Sequence, residues 1–268
     1  MLKKIIAFLK RDFLIHKSYK LSFLLSFLTI LASVVTFYFI AKIFGKGAFP
    51  YLQSYGGKYF PFVLIGIAFS DFFFTGLSAF AHAIHDEQVT GTLGALLITP
   101  TSLSNILLGS SLWEFSLAVL RVVIYLILGI VIFGVQINFS GLFISLIVLF
   151  LTVVSFSGLG IIAASFIMVF KRGDPVTWAF AGISSLLGGV YYPIAVLPPI
   201  LQKFSRLLPI TYSLRATRLA LLGECSLRNL LPDILVLVIF SLVILPLSIV
   251  VFKFSVEKAK KDGTLLQY

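Results

Sequence analysis

The chain has 268 residues, of which 59% are hydrophobic and 12% charged, with 21 Lys and Arg against 10 Asp and Glu and a net charge of +11. A water-soluble domain carries about a quarter charged and about half apolar residues, so a mean hydropathy of +1.09 excludes a soluble enzyme, a disordered tail and a nucleic-acid-binding module. Uninterrupted apolar runs longer than a soluble helix make up most of the sequence, which is the pattern of an all-α integral membrane protein.

Residues 1–20 place Leu2, Ile5, Ile6, Leu9 and Phe13 on one helical face and Lys3, Lys4, Lys10, Arg11 and Lys17 largely on the other. This is the pattern of a basic helix lying in the membrane interface; the plainer alternative is a basic flank that only sets topology. The apolar run from Leu21 to Phe44 carries only Lys42 as a charge, exceeds a signal-peptide core and lacks a small-x-small cleavage site, so it reads as a retained span. Crossing a hydrocarbon core of about 30 Å takes roughly 20 helical residues. Six segments qualify: 21–44, 60–81, 106–135, 141–170, 176–194 and 231–252. Six spans put both termini on one side. Lys3, Lys4, Lys10, Arg11, Lys17 and Lys20 share that side with Lys171, Arg172, Lys253, Lys258, Lys260 and Lys261, and the positive-inside bias assigns it to the cytoplasm.

Two connections are patterned. The stretch 82–102, between the second and third spans, contains no Lys or Arg, and its acidic pair Asp86-Glu87 precedes a short apolar helix closed by Thr99-Pro100. In so basic a protein, that suggests a surface made for another protein. In 195–230, Ile200, Leu201, Phe204, Leu207 and Leu208 recur at helical spacing between Pro199 and Pro209, and Leu214 to Leu222 forms a second short helix. Both are too short to span and would dip into the outer leaflet or lie on it. No repeat or soluble domain boundary is evident, so residues 1–268 read as one membrane domain.

Charges inside spans are costly and mark functional candidates. Asp71 lies near the middle of the second span and Arg121 in the third, about seven residues beyond Glu114. Spans joined by a short loop are often antiparallel neighbours, so Asp71 is expected to face Arg121, with Glu114 nearer the cytoplasmic surface. The pair is either a structural ion pair or part of a substrate path. Phe69, Phe72, Phe73 and Phe74 around Asp71 would line an apolar path or simply pack between helices. Tyr191, Tyr192 and Pro193, at the outer end of the fifth span, are gate candidates, although an aromatic belt also explains the tyrosines. His82, His85 and Asp86 share one side of a helix and resemble a partial metal site, but no fourth ligand is near in sequence and no metal is assigned. Cys225, the single cysteine, supports neither an intramolecular disulfide nor a metal framework. The sequence contains no Gly-x-x-x-x-Gly-Lys-Ser/Thr phosphate loop.

An acidic residue, three intervening residues, Gly91-Thr92-Leu93, then Leu96-Leu97 and Thr99-Pro100 resembles the signature of the permease subunits of type-2 ATP-binding-cassette exporters. The basic helix ahead of the first span and the proline-rich stretch Tyr191-Tyr192-Pro193 to Pro198-Pro199, continued by Leu208-Pro209-Ile210-Thr211-Tyr212 and Arg218, fit the same pattern, so the likeness covers essentially the whole chain. One departure is Gly94, where many members carry a second acidic residue. The resemblance implies a re-entrant outer hairpin between spans 5 and 6, and a cytoplasmic coupling helix in which Asp86, Glu87, Gly91, Thr92, Leu93, Leu96, Leu97, Thr99 and Pro100 press on a separate ATPase subunit. It further implies a half-transporter that pairs as a homodimer with two ATPase copies, in a prokaryotic inner membrane, with ATP and Mg on the partner and none in this chain. The export of an amphipathic, lipid-like, glycan or drug cargo by alternating access follows from the same resemblance. A proton-coupled transporter using Asp71, and an intramembrane enzyme built on His82, His85, Asp86 and Glu87, are the competing readings.

Overall fold

The computed structural model describes residues 2–44, 49–91, 103–170, 175–223 and 226–261, and among them there is no β-strand. In chain order the α-helices are α1 (Leu2–Ser18), α2 (Lys20–Phe44), α3 (Phe49–Leu52), α4 (Tyr59–Val89), α5 (Leu103–Val131), α6 (Leu142–Phe170), α7 (Pro175–Leu187), α8 (Pro199–Ser205), α9 (Pro209–Leu222) and α10 (Leu227–Lys261). Five of them, α2, α4, α5, α6 and α10, are long and apolar enough to cross a membrane.

The centre of the bundle is α4. In its apolar stretch 83% of residues are buried within the chain, against 11% in α2 and 17% in α10, so α4 is a core helix while α2 and α10 present their side chains outward. Phe62, Val63, Leu64, Ile65, Ala68, Phe72 and Phe73 fill the core between α4 and its neighbours α5, α6 and α9. Close approach to α6 depends on small residues: a Cβ on Gly160 would fall 2.6 Å from the Gly76 carbonyl oxygen and 2.7 Å from that of Leu77. Two residues earlier, a Cβ on Gly158 would fall 2.8 Å from Ile244 of α10. Positions two apart on a helix point about 200° away from each other, so this glycine pair lets α6 sit between α4 and α10 with both backbones near. Packing of small residues takes the place here of a hydrophobic driving force that lipid does not supply.

The structure differs from the sequence-based spans in four places, the smallest being the third, which runs Leu103–Val131 rather than 106–135. The second helix does not stop at 81 but continues to Val89, carrying His82, His85 and Glu87 with it, because nothing between them breaks a helix before Gly91, whose φ is +71°. The expected fifth span, 176–194, is helical only to Leu187; 13 residues rise about 20 Å, short of the hydrocarbon core of about 30 Å. Gly189, at φ +78°, turns the chain out of the helix, and Pro193 at φ −63° and ψ 137° holds it extended. That extended segment brings Tyr191 against Phe37 near the far end of α2, with ring centroids 5.5 Å apart. The last helix runs from Leu227 to Lys261, well beyond 231–252 at both ends, with Pro232 and Pro246 inside it. The two short helices of 195–230 are α8 and α9, each opening with proline in its first turn, where the missing N–H is no loss.

Candidate functional site

Polar groups engage α4 at three levels. At the end nearest Gly91, Arg11 of α1 donates from Nη1 to Glu87 Oε1 at 2.8 Å, and its Nε donates to Asp12 Oδ1 at 2.8 Å. Glu87 is buried, at 7% exposure, so its carboxylate faces α1. His82 is exposed and His85 half-buried on the same helix. Asp86 lies in α4, and Gly91 is an exposed turn residue with open space where a Cβ would stand. Thr92, Leu93, Leu96, Leu97, Thr99 and Pro100 lie outside the described residues. Among the described residues, no group of three or more His, Cys, Asp or Glu is placed to hold a metal ion.

Midway along α4, Asp71 and Thr75 stand one turn apart and face α5. Arg121 Nε donates to Asp71 Oδ2 at 2.5 Å and its Nη2 to Thr75 Oγ1 at 3.1 Å, while the Thr75 hydroxyl donates back to the Asp71 carbonyl at 3.0 Å. The fork of Arg121 is thus shared between a carboxylate and a hydroxyl. The pair is only partly enclosed, with side-chain exposures of 27% and 31%. Glu114 lies two turns back along α5, half-buried, in the wall of a groove between α5 and the junction of α1 with α2. Phe69, Phe72 and Phe73 are buried, Phe73 edge-on to Phe156 of α6 at 4.1 Å between centroids; they fill the helix interior.

At the other end of α4, Arg218 of α9 is 3% exposed. Its guanidinium donates to three backbone carbonyls: Phe62 from Nε at 3.0 Å, Gly189 from Nη1 at 2.7 Å and Val190 from Nη2 at 2.8 Å. It also lies 3.5 Å from the centroid of the Phe62 ring. Burial pulls its pKa down to about 9, with nearby Tyr55 and Tyr59 acting the other way, so the group stays charged at neutral pH. Gly66 makes room for it, because a Cβ there would stand 2.4 Å from Arg218 Nη2 and 2.1 Å from the Val190 oxygen.

The expected gate residues surround this joint. The Tyr59 hydroxyl donates to the Tyr191 carbonyl at 2.9 Å, that of Tyr192 donates to the Leu186 carbonyl at 2.5 Å, and Pro193 is buried. Beside it, Asp233 is fully buried and accepts from Arg215 Nε at 2.8 Å. Asp233 was not singled out by the sequence, and Arg218 entered only through the resemblance of its stretch to an outer hairpin, with no role of its own. A cation satisfied by carbonyl oxygens has no acidic partner at a recognisable spacing, whereas the opposite charges of Arg215 and Asp233, 18 residues apart, were a signal for that pair.

An all-helical bundle with several apolar helices of spanning length, polar groups sequestered on its central helix and a broad outward-facing apolar surface is a multi-pass membrane protein. Within that class, the family model described as ABC-2 type transporter, ABC2_membrane, matches residues 3–222, most of the chain, and the protein belongs to that family. It is therefore a membrane component of an ABC-type transporter, a family that normally works with an ATP-binding-cassette ATPase. The comparison with curated proteins gives no match.

Proposed function

We infer that the protein is the membrane half of an exporter, two copies of which form a path for an amphipathic, lipid-like, glycan or drug cargo. Two separate ATPase subunits, carrying ATP and Mg, dock on residues 82–102. The termini and that loop face the cytoplasm of a prokaryotic cell, Asp86, Glu87, Gly91, Thr92, Leu93, Leu96, Leu97, Thr99 and Pro100 are the residues that couple to the ATPase, and α8 with α9 forms the re-entrant outer hairpin.

The observation that supports this reading best is the continuity of α4. Its 31 residues correspond to about 46 Å of unbroken helix, and it joins the loop after Gly91 to the Phe62–Arg218 joint at its far end. A push on the loop therefore has a stiff element to act on. Coupling of this kind requires two global states that nucleotide biases differently.

The test is co-purification with a candidate ATPase, followed by ATP hydrolysis in lipid with candidate cargos. Glu87 holds Arg11, so the loop is better probed at Leu93 and Leu96. Leu93→Glu with Leu96→Glu is expected to release the ATPase while the permease melts as the parent does. Undiminished co-purification and cargo-stimulated hydrolysis would remove the docking assignment.

A further inference from the structure

Where α1 meets α2 at Tyr19, the two helices and α5 enclose a groove of about 540 Å³. Its lining changes character along its length. At the mouth stand Lys17 and Lys20, both exposed, and neither forms an ion pair with a described residue. Farther in, the walls are Phe23, Phe27 and Ile30 of α2 and Leu120 and Ile124 of α5. From Tyr19 to Ile30 is eleven residues of helix, about 16 Å, which is half of a hydrocarbon core of about 30 Å. The groove is one leaflet deep.

We propose that this groove is a binding site for an anionic phospholipid of the leaflet on which α1 lies, its phosphate held by Lys17 and Lys20 and its acyl chains laid between Phe23, Phe27 and Leu120. Charge and shape together select that occupant. A soluble anion leaves the apolar walls uncovered, and a zwitterionic lipid places its own cation among the two lysines. Glu114 lines the same groove, but its single negative charge against Lys17 and Lys20 leaves the three with a net positive charge; Arg121, which also lines it, already holds Asp71. Basic side chains at the membrane surface favour acidic lipid by roughly fivefold per group. The site lies beside α4 and does not depend on the cargo or on the ATPase.

The two tryptophans supply the assay. Trp113 lines the groove, edge-on to Phe13 with centroids 5.7 Å apart, and Trp178 of α7 is 82% exposed on the outer surface of the chain. The Trp178→Phe chain reports the groove, and the Trp113→Phe chain reports general lipid contact. Each is placed in vesicles containing, at equal mole fraction, phosphatidylglycerol or phosphatidylcholine with brominated acyl chains, which quench on contact.

Trp113 is expected to show about a fivefold or greater preference for the brominated phosphatidylglycerol. The preference should vanish in Lys17→Gln with Lys20→Gln, persist in Lys17→Arg with Lys20→Arg, and be absent at Trp178. Equal quenching of Trp113 by the two lipids overturns the proposal, as does a preference that survives the glutamine pair or is lost in the arginine pair. The same preference at Trp178 would mean enrichment around the whole basic protein, and loss of the preference on adding inorganic phosphate would mean a site for a soluble anion; either result overturns it.

Discussion

Replacing Arg218 with methionine tests whether one buried cation holds the far end of α4, the bend after α7 and α9 together. The carbonyls of Gly189 and Val190 lie outside any helix and would lose the donors they have from Arg218; a buried acceptor left without a partner costs about 1–3 kcal/mol. The Phe62 ring loses a desolvated cation that contributes about 2 kcal/mol. Against this, methionine no longer buries a charge, which offsets several kcal/mol of desolvation, and hydrogen bonds between membrane helices average only about 0.6 kcal/mol in double-mutant cycles. The net loss expected is about 2–4 kcal/mol, or a melting shift of roughly 5–15 °C for a chain of this size. Thermal unfolding of the purified protein, followed by intrinsic fluorescence, measures it. Arg218→Lys should fall between, because an ammonium cannot reach all three carbonyls with the geometry of a planar fork. Gly66→Ala attacks the same joint from α4, and its loss should be less than additive with that of Arg218→Met, as expected for residues in contact. A methionine variant that melts within a degree or two of the parent, or losses that simply add, would refute the account of the joint.

Arg121→Ala leaves the Asp71 carboxylate without its cation; with the pair about 30% exposed, the expected loss is roughly 1–3 kcal/mol, below the figure for a fully buried pair. Replacing both residues by leucine should recover part of that loss in the same melting assay, since neither charge is then stranded. For the Arg11–Glu87 contact, with Arg11 41% exposed, either single charge reversal should loosen α1 and speed its cleavage by a lysine-specific protease. The double reversal, Arg11→Glu with Glu87→Arg, should slow cleavage again; no recovery would show that the contact contributes nothing.

Hydropathy found α2 and α6 to within a residue because their ends coincide with the ends of apolar runs, and it set α5 three residues late at its start and four at its end. It missed the ends of α4 and α10, whose last turns are polar: the run from His82 to Val89 and the lysine-bearing turns up to Lys261 keep helical backbone hydrogen bonds after hydropathy has fallen. It overran α7 for the opposite reason, since Val190, Tyr191 and Ile194 are apolar but follow the left-handed Gly189. Asp71 and Arg121 stood out because charges within spans are rare. The groove at Tyr19 was invisible, because α5 supplies one wall from about a hundred residues farther along the chain, and its lysines read only as part of a basic interfacial helix or a topogenic flank.

Three arginines from three helices reach α4 at successive depths: Arg11 of α1 at Glu87, Arg121 of α5 at Asp71 and Thr75, and Arg218 of α9 at the Phe62 carbonyl. The attachment points are separated along α4 by sixteen and nine residues, about 24 and 14 Å. Sliding α4 by a single turn, about 5.4 Å, would break all three contacts, leave the buried Glu87 and the partly buried Asp71 carboxylates without their cations, and reduce Arg218 to its Gly189 and Val190 acceptors. A shift that carries α1, α5 and α9 along breaks none of them. Any force applied at Gly91 is therefore opposed by polar contacts along the length of α4 and passes to this group of helices as a body. The surfaces free to rearrange are those of α2 and α10, with 11% and 17% of their apolar stretches buried in the chain. It is there that a second copy, or lipid, would feel the movement first.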